Sequence, residues 1–220
     1  RNVPGDQAAS LIGGSAMWNG HECQDVKFPW PHMFSLLGDE YDQRFGLKHQ
    51  HLAHIAELNF ANAKRNPNAQ TRRWSFNELS FTEDDQQNPV VDGRIRKQDC
   101  GQVSDGAAVV FLASADKAAH YARRLGISLD ELPFIRGWGH RTAHIEYEAK
   151  VRSSRGDPYV FPHLRGTITD AFRRAGISSV EQLDVIETHD CFTTTEYMAI
   201  DHFGITAPGE NWKAIENGDI

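Results

Sequence analysis

Residues 183–204 read LDVIETHDCFTTTEYMAIDHFG, and three textures succeed one another along them. Residues 183–187 (LDVIE) are short, apolar and β-branched, which predicts a strand. Thr193-x-x-Glu196 is the signature of a capping box. Tyr197, Ile200 and Phe203 then recur at helical spacing until Gly204 closes the helix. Between strand and helix lies Thr188-His189-Asp190-Cys191-Phe192. His189 and Cys191 thus fall at the carboxyl end of a strand, where open α/β sheets build their sites. Residues two apart in extended chain face the same way, so one cavity could receive both side chains. The partial positive charge of the helix N-terminus favours a thiolate, and is expected to lower the pKa of Cys191. Such a pair can exchange protons near neutral pH or donate hydrogen bonds to an oxyanion. A cysteine after a strand is also a common small core residue, so spacing alone leaves both roles open.

The same alternation extends upstream. Residues 107–113 (AAVVFLA) form a continuous apolar run, as expected of a strand buried on both faces. Ser114 can cap a helix through Arg124 that Gly126 ends. A short strand is expected over 133–137, a connection over 140–160, and a helix through Ile168, Ala171, Phe172 and Ala175 closed by Gly176. Strand and helix in alternation define an α/β fold with crossover connections. The first hundred residues differ. Pro31 suits the first turn of a helix through Phe34, Leu36 and Leu37. Leu52, Ile55, Ala56 and Phe60 lie on one face of another, which must stop at Asn66-Pro67. Residues 71–98 show no dominant period. This part is expected to be an irregular lid or loop domain (1–100) beside an α/β core (101–220).

The 220 residues carry 23 basic and 30 acidic side chains, a net charge of −7. That balance argues against a nucleic-acid or anionic-membrane partner, which calls for a basic face. No apolar run reaches the roughly 18–20 residues that span a bilayer. Three cysteines (Cys23, Cys100, Cys191) do not make a disulfide framework, and point to a reducing compartment. No targeting signal is visible, and the start at Arg1 without a methionine suggests processing or truncation.

Three blocks together resemble the thiolases. Residues 183–209 look like the region of the family's Asn-Glu-Ala-Phe motif, in the His-Asp-Cys-Phe form of the sterol-carrier-protein-2 type. Residues 99–114 (DCGQVSDGAAVVFLAS) resemble the segment in which an Asp-Gly-Ala turn leads into a core strand. Residues 45–70, ending Asn66-Pro67-Asn68-Ala69-Gln70, are similar to the loop-domain helix of this subgroup. The resemblance implies a layered α/β core, incomplete here, with a loop domain that holds CoA. It implies an acyl-CoA C-acyltransferase performing Claisen condensation or thiolytic cleavage of a 3-oxoacyl-CoA. CoA and acyl-CoA are then substrates and no cofactor is tightly bound. In this subgroup the counterpart of His189 binds the thioester oxygen, and that of Cys191 moves a proton at the α-carbon. A homodimer is implied for the whole enzyme, in the cytoplasm or, in a eukaryote, the peroxisome.

The departures from the family are equally specific. Its nucleophilic cysteine and its Gly-His-Pro histidine have no counterpart, since neither Cys23 nor Cys100 opens a helix in the required way. Covalent acyl transfer then has no route, and these 220 residues alone are expected to be inactive. Two other readings stand beside the acyltransferase: an inactive CoA-binding or assembly module, and a superfamily CoA-thioester aldolase working with a partner.

The remaining candidates favour plainer roles. His49, His51 and His54 cluster, and His140 and His144 stand four apart near Glu146, but neither set converges as a zinc site must; no metal is expected. Ser104-Asp105-Gly106 reads as a turn. Arg123-Arg124, Arg152/Arg155 and Arg173-Arg174 suit CoA phosphates, yet read more simply as solvated faces. Trp18, Trp30, Trp74, Trp138 and Trp212 are expected as core or interface anchors.

Overall fold

The computed structural model describes residues 4–16, 18, 20–104 and 106–220, without the side chains of residues 5, 6 and 14–16. The expected turn at Ser104-Asp105-Gly106 therefore lies partly outside the described residues. Eight α-helices are present among them: α1 (Gly5–Ala16), α2 (Pro29–Phe45), α3 (His49–Arg65), α4 (Ala115–Leu125), α5 (Tyr147–Ser154), α6 (Pro162–Ala175), α7 (Thr193–Phe203) and α8 (Asn211–Asn217). The helix starts and stops follow local chemistry. A proline occupies the first turn of α2, and α3 ends at Asn66, the residue before Pro67. Gly126, Gly176 and Gly204 close α4, α6 and α7 in the left-handed conformation, which costs glycine no Cβ clash. α1, α5 and α8 are not among the expected helices.

α7 is the hub of the core. Tyr197, Met198 and Ile200 pack with Leu37 and Tyr41 of α2, Leu52 and Ile55 of α3, and Ile215 of α8. The core thus draws on both sides of residue 100. Several of its buried polar groups are paired, as burial favours, although Thr194 Oγ1 of α7 and His51 Nδ1 of α3 are buried with no hydrogen-bond partner. The Tyr41 hydroxyl donates to Asp201 Oδ2 at 3.1 Å. The Phe161 backbone N–H donates to His202 Nε2 at 2.9 Å, so Nδ1 carries the ring proton and donates to the Met198 carbonyl oxygen at 2.6 Å.

The strands depart from expectation. The described sheet is one antiparallel hairpin, β1 (Val90–Asp92) with β2 (Ile95–Arg96). Residues 107–113, 133–137 and 183–187, each expected as a strand, join no ladder. Every described residue from 101 to 114 is exposed, Phe111 to 95% and Val110 to 86%. The physical reason is that a helix closes its hydrogen bonds within its own segment, whereas a strand needs a neighbour. These three runs do not pair with one another, so the layered core is not formed among the described residues.

Instead, residues 136–141 lie along α6. Arg141 pairs with Asp170 at 3.0 Å, and Arg136 Nη2 donates to the Ala175 carbonyl at 3.1 Å. Gly139 approaches the Thr167 carbonyl so closely that a Cβ would collide with it.

The hairpin bridges the two ends of the chain. Gly93, at its turn, adopts φ +49° and leaves no room for a Cβ against Ser35 of α2. The Arg94 backbone N–H donates to Ser35 Oγ at 2.9 Å, and its guanidinium pairs with Asp39 and Asp42 at 2.7 and 2.9 Å. The chain leaving β2 then runs directly to the start of α7.

Candidate functional site

Cys100 and Phe192 form an isolated antiparallel bridge. The Gly101 N–H donates to the Cys191 carbonyl at 2.8 Å, with the two backbones in van der Waals contact. This pairing fixes the Asp190–Phe192 backbone without a sheet. Phe192 is buried and stacks on Phe34 of α2 with ring centroids 4.4 Å apart.

The expected capping box does not form. Phe192 is the N-cap of α7, and no side chain caps the helix. Thr193 Oγ1 donates instead to Asp99 Oδ1 at 2.8 Å, and Asp99 also accepts from the Arg96 N–H at 2.8 Å. Asp99 is buried, and burial holds its carboxyl above the usual range. Glu196, the other half of the box, turns away toward α3 and Asp190. Tertiary partners outcompete the local cap for both residues.

The two sequence-predicted site residues stay adjacent but differ in environment. His189 is exposed, and Cys191 is half-buried. Cys191 Sγ lies 3.8 Å from Thr195 Oγ1, one turn into α7. Burial, and then the Asp190 charge, push its thiol up from the ordinary value. The expectation of a lowered value from the helix N-terminus is thereby corrected: desolvation exceeds the Thr195 and backbone contributions that favour the thiolate. Cys100 is raised further, to about 12, by burial and by Asp99.

A cavity of 310 Å³ adjoins this segment, walled by Thr188 and Asp190, the alternate residues, together with Asn59, Asp99, Cys100 and Glu196. His189 and Cys191 are not among its walls. The cavity is acidic and carries no Lys or Arg. Burial and the neighbouring Glu196 push the Asp190 carboxyl up to about 8. Asn59 gave no signal in the sequence beyond helix-face polarity, because it lies 131 residues from Asp190, and Glu196 signalled only a local cap.

Of the clustered histidines, His51 is a hydrogen-bonding group, whereas His49 Nε2 is buried with no hydrogen-bond partner. His51 is buried and pairs with Glu216 at 3.0 Å. Among the described residues no group of three His, Cys, Asp or Glu side chains is placed to hold a metal ion. Trp30 packs beside Cys23 and Met33, while Trp18, Trp74, Trp138 and Trp212 are exposed. A cleft of 870 Å³ outside α3 is lined by Lys48 and Lys64, but also by Glu57, Glu78 and Glu83. With carboxylates outnumbering ammonium groups, it is not assigned to the phosphates of CoA.

Residues 147–220, from α5 through α8, match the family described as thiolase C-terminal domain-like. The match includes the His189–Cys191 segment, and over these residues the resemblance to thiolases drawn from the sequence is borne out. It is 27% identical to the acetyl-CoA acetyltransferase of Methanothermobacter thermautotrophicus over 195 residues, 89% of this chain and 46% of that protein. Sterol carrier protein 2 of Homo sapiens is 24% identical over 230 aligned residues, covering 100% of this chain and 37% of that protein. A benzoylsuccinyl-CoA thiolase subunit of Thauera aromatica is 26% identical over 186 residues, 84% and 44% of the two chains. The chain thus spans less than half the length of these relatives. No helix among the described residues is long and apolar enough to cross a membrane.

Proposed function

We propose that this chain forms the His189–Cys191 portion of an acyl-CoA C-acyltransferase that makes or cleaves the carbon–carbon bond of a 3-oxoacyl-CoA. The reading is carried by one observation: the His-Asp-Cys-Phe segment opens a buried helix inside the region matched to thiolase C-terminal domains. The names of the relatives, acetyl-CoA acetyltransferase and benzoylsuccinyl-CoA thiolase subunit, support the substrate class. The loop domain over 1–100, the layered α/β core, the homodimer and the cytoplasmic or peroxisomal setting belong to this same proposal.

In it, Cys191 is the group that moves a proton at the α-carbon. Its raised pKa keeps it a thiol at neutral pH, the form able to donate when a carbanion must be quenched. His189, exposed beside it, donates a hydrogen bond to the thioester oxygen as negative charge develops there. The nucleophile and the base that activates it come from outside these 220 residues.

The test is deuterium uptake into the methyl group of acetyl-CoA in heavy water, catalysed by the protein encoded by the whole reading frame. Cys191→Ala suppresses the exchange and leaves CoA binding intact; unchanged exchange removes Cys191 from the mechanism. His189→Ala slows turnover by about 10²–10³-fold if it is an oxyanion donor, and a loss below tenfold leaves it a structural residue. A second reading, an inactive CoA-binding or assembly module, is favoured by the exposed apolar run at Val109–Leu112. Stable CoA binding with no turnover in the full-length protein establishes that reading instead.

A further inference from the structure

Asn59 stands on α3, far in sequence from the His189–Cys191 segment, yet its side chain reaches it. Asn59 Nδ2 donates to Asp190 Oδ2 at 2.8 Å and to Glu196 Oε2 at 2.8 Å. One amide nitrogen has two hydrogens, so both bonds form at once. The two carboxyl groups that meet on it are otherwise poorly served. Asp190 Oδ1 is buried with no hydrogen-bond partner, and no cation lines the cavity beside them. Two carboxyls that share one donor do not both ionise cheaply, and burial with the neighbouring Glu196 pushes the Asp190 carboxyl up.

We propose that Asn59 is a positioning residue. By binding both carboxyls it ties α3 to the Thr188–Cys191 segment and to the first turn of α7, and so sets where Cys191 sits. The assignment rests on the reading of Cys191 as the proton-moving group, and extends it to a residue of the opposite half of the chain.

The arrangement carries a pH dependence. The titratable groups facing the pair are Asp99 and Cys100 across the cavity, Cys191 on the same segment and Glu196 on α7; α3 contributes the neutral Asn59. Asp190 titrates at about 8, raised first by burial and then by Glu196. Below that value the Asp190 carboxyl keeps its proton. Above it Asp190 carries a charge beside Glu196, Asn59 is the shared donor left between them, and the segment loosens.

Two readouts test this. The first is alkylation by iodoacetamide, followed cysteine by cysteine by peptide mass spectrometry. Cys23 packs in a separate cluster with Met33 and is the internal reference. Asn59→Ala should label Cys191 about tenfold faster relative to Cys23, reflecting two lost charge-assisted hydrogen bonds. Equal acceleration of both cysteines means general unfolding, and no acceleration means no positioning; either overturns the proposal. The second is hydrogen exchange at the Gly101 amide, which is bonded to the Cys191 carbonyl. In the unaltered protein its protection, corrected for intrinsic exchange, should fall about tenfold between pH 7 and 9. Glu196→Gln should lessen that fall, because burial, the larger cause, remains. Protection that is flat in the unaltered protein, or that falls equally in Glu196→Gln, overturns the proposal without requiring any variant of Asn59 to fold. Neither readout needs turnover, so a negative deuterium-exchange assay would remove the acyltransferase reading and leave these results standing.

Discussion

Two four-residue runs are comparably apolar and end in opposite environments. Tyr197–Ile200 (YMAI) lies in the middle of α7 and is buried throughout, whereas Val109–Leu112 (VVFL) is 77–95% exposed. Hydrophobicity alone does not separate them. The first run belongs to a helix, whose backbone is satisfied locally, and α2, α3 and α8 cover its side chains. The second has the character of a buried strand, and no described strand pairs with it. An apolar run thus states that it must be covered, and leaves open by which element and from which part of the protein.

The largest effect expected from this contrast is on the buried side. Met198→Ala should destabilise the chain by about 2–5 kcal/mol, the usual cost of truncating a buried Met, read as a lower urea midpoint at unchanged slope. A loss under about 1 kcal/mol would mean that the core around α7 is loose, and would erase the distinction between the two runs.

An intermediate effect belongs to the Asp190–Glu196 pair. The folded Asp190 carboxyl titrates at about 8, above its unfolded value, so between these two values the native state binds more protons than the unfolded one. Stability therefore falls as pH rises toward and through 8. The change between pH 6 and 8 is limited to about 2.7 kcal/mol for one proton. Glu196→Gln should make this part of the profile shallower, the share left being due to burial, as measured by denaturant melts at matched ionic strength.

The smallest effect is expected on the exposed run. Phe111→Ser should change unfolding stability by less than about 0.5 kcal/mol, as surface substitutions usually do, while reducing self-association in sedimentation. If Phe111→Ser costs as much as Met198→Ala, the run is covered in solution, and the comparison fails at its exposed end.

Much of the helical framework was legible in the sequence because its signals are local. Leu52, Ile55 and Ala56 mark the buried face of α3, and Pro67 dictates its end. Gly126, Gly176 and Gly204 close three helices where they were expected to. The extended runs were misread for a reason of the same kind: β-branched composition describes a strand's preference for a pleated surface, not the presence of a partner. The site was half legible. The order Thr188-His189-Asp190-Cys191-Phe192 marks it, whereas the pKa of Cys191 depends on how much water surrounds the thiol, which no motif records.

By itself, then, the sequence determined α2, α3, α4, α6 and α7, most of their stops and the thiolase-like segment between 188 and 192, since each depends on residues within a few positions of one another. Tertiary structure alone decided what those residues do to each other. Thr193 and Glu196 give up the local cap because Asp99 and Asn59, 94 and 137 residues away, offer their side chains better partners. Contacts across such separations arise only when helices pack, and only packing removes the water that would otherwise let Asp190 and Cys191 titrate as they do in open chain.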